Sequence, residues 1–185
     1  MKILVVIDAQ NDFIAGSLRN EEAIKAVPKI VEKINSFDGD VIYVTQDTHT
    51  KDYLDTPEGK RLPFEHCINR THGWMINDSI QAALTNADYN GIDVVYVEKP
   101  TFGSFDLVEY LEDDANEAEF EDDDLDIEFV GFCTDICVVS NVLMAKAALY
   151  DIATISVDSS CCAGVTPALH EAALNTMRSC QVNVH

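Results

Sequence analysis

The sequence predicts an α/β fold, a three-layer doubly wound arrangement with a mainly parallel sheet of about six strands and helices on both faces. Two observations carry this expectation. Short β-branched apolar runs alternate with longer segments whose apolar residues recur at helical spacing, the order that parallel strands joined by crossover helices require. The first run, Ile3-Leu4-Val5-Val6-Ile7, is apolar without alternation, as expected of a strand covered on both faces. With 185 residues, 47% of them hydrophobic, the chain is long enough to build a sizeable core as one domain over residues 1–185.

The elements follow in order. After the strand at 3–7, residues 21–37 place Ile24, Val27, Ile30, Val31 and Ile34 at helical spacing. Residues 41–45 form a second strand. Residues 48–74 are rich in Pro, Gly and charge and read as a long loop, and a loop of that length in a compact domain is usually functional. A helix is expected over 78–87, a strand over 93–97, a helix over 105–111 and a strand over 127–130 leading into Gly131. Thr134 is placed to cap a helix over 135–150. A strand over 152–157, a helix over 166–179 and a short strand over 181–184 complete the chain.

Acidic residues number 33 against 12 basic, for a formal charge of −21. Such a surface repels phosphate backbones and anionic lipid, so neither nucleic acid nor membrane is an expected partner. Eleven acidic residues and no basic one lie between Glu112 and Glu128. That run reads as a solvated connection, with residues 112–126 exposed and dispensable. The six cysteines include no C-x-x-C pair, and the expectation is free thiols in a reducing cytoplasm. Cys133, Cys161, Cys162 and Cys180 read as buried structural cysteines. No apolar stretch is long enough to span a membrane, and the start of the sequence lacks the cleavage site of a signal peptide.

In doubly wound folds, sites form at the carboxyl ends of the strands. Four predicted strand ends carry reactive groups: Asp8 with Gln10 and Asp12; Gln46 to His49; Glu98 and Lys99; and Gly131 through Cys133 to Cys137. Cys137 falls at a strand-to-helix elbow, a setting used for nucleophiles, where the helix dipole and a nearby lysine favour a thiolate. Asp8, after an apolar strand, and Lys99, at the end of another, supply a base and a cation for it. Asp47 and His49 are one residue apart, so an extended chain points both to one side, and a carboxylate with an imidazole suits a divalent transition metal. His66 and Glu58, in the long loop, are the candidates to complete that set. His72, His170 and His185 are expected to have no catalytic role.

Together these segments resemble a known family. Ile7-Asp8-Ala9-Gln10-Asn11-Asp12-Phe13, Asp47-Thr48-His49, Glu65-His66-Cys67, Lys99-Pro100-Thr101-Phe102-Gly103-Ser104-Phe105 and Gly131-Phe132-Cys133-Thr134-Asp135-Ile136-Cys137-Val138, in that order, are similar to the isochorismatase-like cysteine hydrolases. Within that family the pattern looks most like the nicotinamidases, which also hydrolyse pyrazinamide. The resemblance implies hydrolysis of a small amide, nicotinamide to nicotinate and ammonia, through a Cys137 thioester. It implies Asp8 as proton acceptor, Lys99 as the bridging cation, and the N–H groups of Cys133 and Cys137 as the oxyanion hole. It also implies a cis peptide at Phe132–Cys133 and Phe13 packed on the substrate ring. A divalent ion, zinc first with iron or manganese as alternatives, is implied on Asp47, His49 and His66, with Glu58 as the candidate fourth ligand. A homo-oligomer is implied by analogy. Two positions depart from the pattern: Thr50, where proline is usual, and Arg70, where glycine is usual before Thr71. The competing readings are a family member acting on another small amide or carbamoyl compound, and a non-catalytic binding module on the same fold.

Overall fold

The computed structural model describes residues 1–121 and 124–185. Among the described residues six strands form one sheet in the order β3-β2-β1-β4-β5-β6, and every pairing there is parallel. They are β1 (Lys2–Ile7), β2 (Val41–Asp47), β3 (Asp93–Lys99), β4 (Leu125–Phe132), β5 (Ala153–Ala163) and β6 (Asn183–Val184). The α-helices among the described residues are α1 (Asn11–Ile14), α2 (Glu21–Ser36), α3 (Asp78–Tyr89), α4 (Phe105–Glu121), α5 (Val139–Leu149) and α6 (Pro167–Ser179). The predicted three-layer, doubly wound α/β class is the one observed.

The alternation of side chains along β1 builds the two faces. Ile3, Val5 and Ile7 pack with Leu107 and Leu111 of α4, Val142 of α5 and Met177 of α6. Leu4 and Val6 pack on the other side with Ile30 and Ile34 of α2 and Leu84 of α3. The chain builds outward from β1 to β3 on one side, then returns to β4 and builds outward the other way. β1 and β4 therefore flank the switch point, where doubly wound folds open a crevice at the strand ends.

The structure corrects several expectations. The helix expected over 105–111 continues to Glu121 and takes in much of the acidic run. Leu107, Leu111, Ala115 and Ala118 form a buried stripe at helical spacing, while Glu112, Asp113, Glu117 and Glu119 face solvent. Ala115 and Ala118 are small enough to disappear within a run of acids, yet they seat the helix on the sheet. Carboxylates near a helix C-terminus oppose its dipole, so packing rather than charge holds this one. The expected exposure over residues 112–126 therefore does not hold at Ala115, Ala118 or Leu125, which are buried, and Leu125 opens β4. Residues 122–123 lie outside the described residues.

Thr134 does not cap a helix. A single π-helical turn, Thr134–Val138, precedes α5, and the Cys133 carbonyl accepts from Ile136 N–H at 3.0 Å and Val138 N–H at 3.1 Å. β5 runs six residues past its expected end at Val157, taking in Cys161 and Cys162. All six cysteines are free, but Cys180 is exposed and Cys133 only partly covered, so neither is the buried structural cysteine expected. No helix among the described residues is long and apolar enough to cross a membrane.

Candidate active site

Asp8 is the first residue beyond β1, wholly buried, with φ of 46°. That left-handed backbone is costly for a residue with a side chain, and Thr45 anchors it. The Asp8 N–H donates to the Thr45 carbonyl at 3.2 Å and to its Oγ1 at 3.1 Å, and Thr45 Oγ1 donates back to Asp8 Oδ1 at 2.6 Å. Asp8 Oδ2 lies 2.7 Å from Lys99 Nζ. Lys99 ends β3, is 1% exposed, and also donates to the Thr101 carbonyl at 3.0 Å.

Cys137 sits in the π-helical turn, buried, against the same two charges. Burial pushes its thiol well above the ordinary range, Asp8 adds to that, and Lys99 opposes it. From sequence the helix start is expected to favour a thiolate; in the folded chain burial works in the opposite direction. Burial also raises the Asp8 carboxyl, with Lys99 and the Thr45 hydroxyl pulling the other way. For Lys99, burial disfavours the ammonium, but Asp8, Cys137 and Asp47 outweigh it and hold the group charged.

Gly131 brings β1 and β4 together here. It takes φ of 120°, and a Cβ at that position would lie 2.1 Å from the Ile7 carbonyl oxygen. Two residues on, the Phe132–Cys133 peptide is cis, at the position the resemblance implied. Asn141, fully buried on α5, fastens the turn from the other side. Its Nδ2 donates to the Cys137 carbonyl at 2.8 Å and the Phe102 carbonyl at 3.0 Å, and its Oδ1 accepts from Ser104 N–H at 3.0 Å. Thr134 Oγ1 meets Nδ1 of His170 at 2.8 Å, which gives that histidine a structural contact with the turn.

Asp47, the last residue of β2, points its carboxylate at the two histidines. Oδ2 is 3.0 Å from His49 Nε2 and 3.5 Å from His66 Nε2. One ligand atom from each of the three residues lies within 4.8 Å of the others, and all three side chains are buried. Glu58 Oε1 is 3.8 Å from both imidazole nitrogens, placing it beside the set as a more exposed fourth member. The donor set fits a divalent transition metal on three counts. His66 Nδ1 is 2.9 Å from the Phe64 carbonyl; donating there leaves Nε2 with its lone pair free. His49 Nε2 is shielded from water and makes no well-directed hydrogen bond, an orphan that ligation satisfies. Burial disfavours the Asp47 carboxylate, but the two imidazoles and Lys99 beside it hold it below the usual range, so it is an anionic ligand.

One cavity of about 790 Å³ joins these groups. Asp47, Glu58, His66, Cys133 and Cys137 line it, with Phe13 and Phe102 on its apolar walls. The ring of Phe13 stands 5.6 Å from that of His66, tilted by 59°. Thr45, Asn141 and the Thr134–His170 contact were not singled out from sequence. A polar Asn at an inward helix position was the one local signal available for them.

Comparison with known proteins places the chain in a family. The isochorismatase domain family matches residues 2–185. A nicotinamidase/pyrazinamidase of Bacillus subtilis is 28% identical, with 99% of this chain and 98% of that one covered and a TM-score of 0.78. A pyrazinamidase/nicotinamidase of Streptococcus mutans is 25% identical, with both chains fully covered at 100% and a TM-score of 0.81. A pyrazinamidase of Pyrococcus horikoshii, solved in complex with zinc, shares the fold at 23% identity, 100% and 98% coverage and a TM-score of 0.74. No curated protein sequence matches. The chain belongs to the isochorismatase domain family and is, in class, an amidohydrolase of the isochorismatase and nicotinamidase type.

Proposed function

We propose that this protein hydrolyses nicotinamide to nicotinate and ammonia through a thioester on Cys137. The observation that carries the reading is the buried Asp8–Lys99 pair set against Cys137 in the cavity that also holds the Asp47–His66 cluster. The names of the solved relatives support the choice of substrate.

Asp8 takes the proton of the Cys137 thiol as sulfur attacks the amide carbon. The carbonyl π electrons move to oxygen, and the Cys133 and Cys137 N–H groups receive the oxyanion. When the carbon–nitrogen bond breaks, Asp8 returns the proton to the departing ammonia. Water then adds to the thioester, giving its proton to Asp8, and the carbon–sulfur bond breaks to release nicotinate and restore the thiol. Lys99 keeps one positive charge beside this proton traffic, so Asp8 and the sulfur exchange a proton within a compensated site. Asp47, His49 and His66 would hold a divalent ion, zinc by preference, with Glu58 as fourth ligand; when bound it supplies a Lewis acid for the pyridine nitrogen. Phe13 provides an apolar wall for the ring. Holding the ring at one end sets the amide carbon near the sulfur at the other.

The test is ammonia release from nicotinamide beside pyrazinamide and a panel of aliphatic amides and ureas, with and without chelator. Nicotinamide turnover that falls on chelation and returns with Zn²⁺ is the expected result. Turnover of an aliphatic amide alone, unaffected by chelator, would refute the substrate and leave the Cys137 chemistry standing.

A further inference from the structure

Gln10 takes no part in the chemistry above, yet it is fully buried between its two halves. It follows Asp8 by two residues, and its side chain turns toward β2. Nε2 donates to the Asp47 carbonyl at 2.8 Å and to the Trp74 carbonyl at 2.8 Å, while Oε1 accepts from the Asp47 N–H at 2.8 Å. The carboxamide thus pairs with both main-chain groups of Asp47, as a neighbouring strand would, at the point where the chain leaves the sheet. Trp74 closes the frame on the far side, since its Nε1 donates to Thr48 Oγ1 at 2.8 Å. Asp47 and Thr48 are therefore held from both sides, and the Asp47 carboxylate has little freedom to turn from the histidines.

We infer that Gln10 is a positioning residue for the metal centre: its carboxamide fixes the backbone of Asp47, and so aims the carboxylate, in register with Asp8 two residues away. This rests on the reading that Asp47, His49 and His66 hold a divalent ion. The group must be a carboxamide, because the site asks one side chain to donate twice and accept once. A glutamate of the same shape would set an oxygen against two carbonyl oxygens, and a methionine would fill the space without any hydrogen bond. Partners of this kind, behind the ligands themselves, typically set metal affinity by about 10–100-fold.

The experiment compares the full chain with Gln10→Glu and Gln10→Met. Zn²⁺ is titrated into the metal-free proteins against a competing chelator. Alkylation of Cys137 by iodoacetamide is followed in parallel by peptide mass mapping, because the exposed Cys180 also reacts. Both variants should bind Zn²⁺ about 10–100-fold more weakly, with KM for nicotinamide rising more than kcat falls, and with Cys137 alkylated at the wild-type rate. Undiminished Zn²⁺ affinity in Gln10→Met overturns the inference. So does a loss of affinity matched by an equal change at Cys137, which marks general damage, and so does failure of both variants to fold. A wild-type protein that binds no Zn²⁺ removes the metal reading itself, an outcome distinct from these.

Discussion

Replacing Lys99 by methionine deletes one positive charge and little volume, and the structure sets the consequence. Nζ lies 2.7 Å from Asp8 Oδ2 and 3.8 Å from Asp47 Oδ1. At an effective dielectric of about 20 those separations are worth about 6 and about 4 kcal/mol of gross attraction. Desolvation of the ions cancels most of this, so the intact network contributes little net stability. Removing the cation alone keeps the desolvation cost and loses the attraction, a penalty of about 3–5 kcal/mol. The deficit depends on pH with a definite sign. Burial already holds the Asp8 carboxyl above the ordinary value of 3.8 although Lys99 pulls it down, and without Lys99 it rises further. Between that ordinary value and the raised native one, the folded variant keeps a proton that the unfolded chain releases. Stability contributed by this group is therefore full at low pH and lost as pH rises through the window. Urea unfolding of wild type and Lys99→Met, at about pH 5 and about pH 8, reads it directly. The deficit should be about 3–5 kcal/mol near pH 8 and smaller near pH 5, and kcat/KM should fall by at least about 10²-fold. A deficit below about 1 kcal/mol, the same at both pH values, would show that the buried pair does not behave as an ion pair.

Other perturbations test other parts of the structure. Cys137→Ala should abolish ammonia release while changing stability by no more than about 1–2 kcal/mol, since only a sulfur atom leaves a buried site; residual turnover near wild type would remove Cys137 from the mechanism. Gly131→Ala should cost at least about 3 kcal/mol in urea unfolding, through its backbone conformation and the clash with Ile7; a stable, active variant would show that β1 and β4 can part without harm. On α4, Ala115→Asp should destabilise the fold by about 3 kcal/mol or more by burying a carboxylate, while Glu112→Gln and Glu119→Gln should stay within about 0.5 kcal/mol. Equal effects in the two sets would contradict the buried stripe. His49→Ala should lose the bound metal and raise KM for nicotinamide without slowing alkylation of Cys137, as measured by metal analysis and steady-state kinetics.

Much of the site was legible because its members stand at strand ends, and strands announce themselves locally. A buried parallel strand is a short β-branched run, so Asp8, Asp47 and Lys99 could be placed at carboxyl ends from composition and order alone. The separation of one residue between Asp47 and His49 carried the pairing of their side chains. What local pattern could not carry was anything set by a partner distant in sequence. The length of α4 depended on two alanines meeting the sheet, which look like nothing in a run of acids. The π-helical turn at Cys137 depended on the Cys133 carbonyl and on Asn141, whose partners at Phe102 and Ser104 lie far off in sequence. The pull of burial on the Cys137 thiol was hidden for the same reason: the helix start is visible in sequence, but the burial that works against a thiolate exists only when distant elements pack around the residue. Gln10 was legible as a polar residue at a strand end, and only the folded chain, by laying its carboxamide along the backbone of Asp47, gave it something to hold.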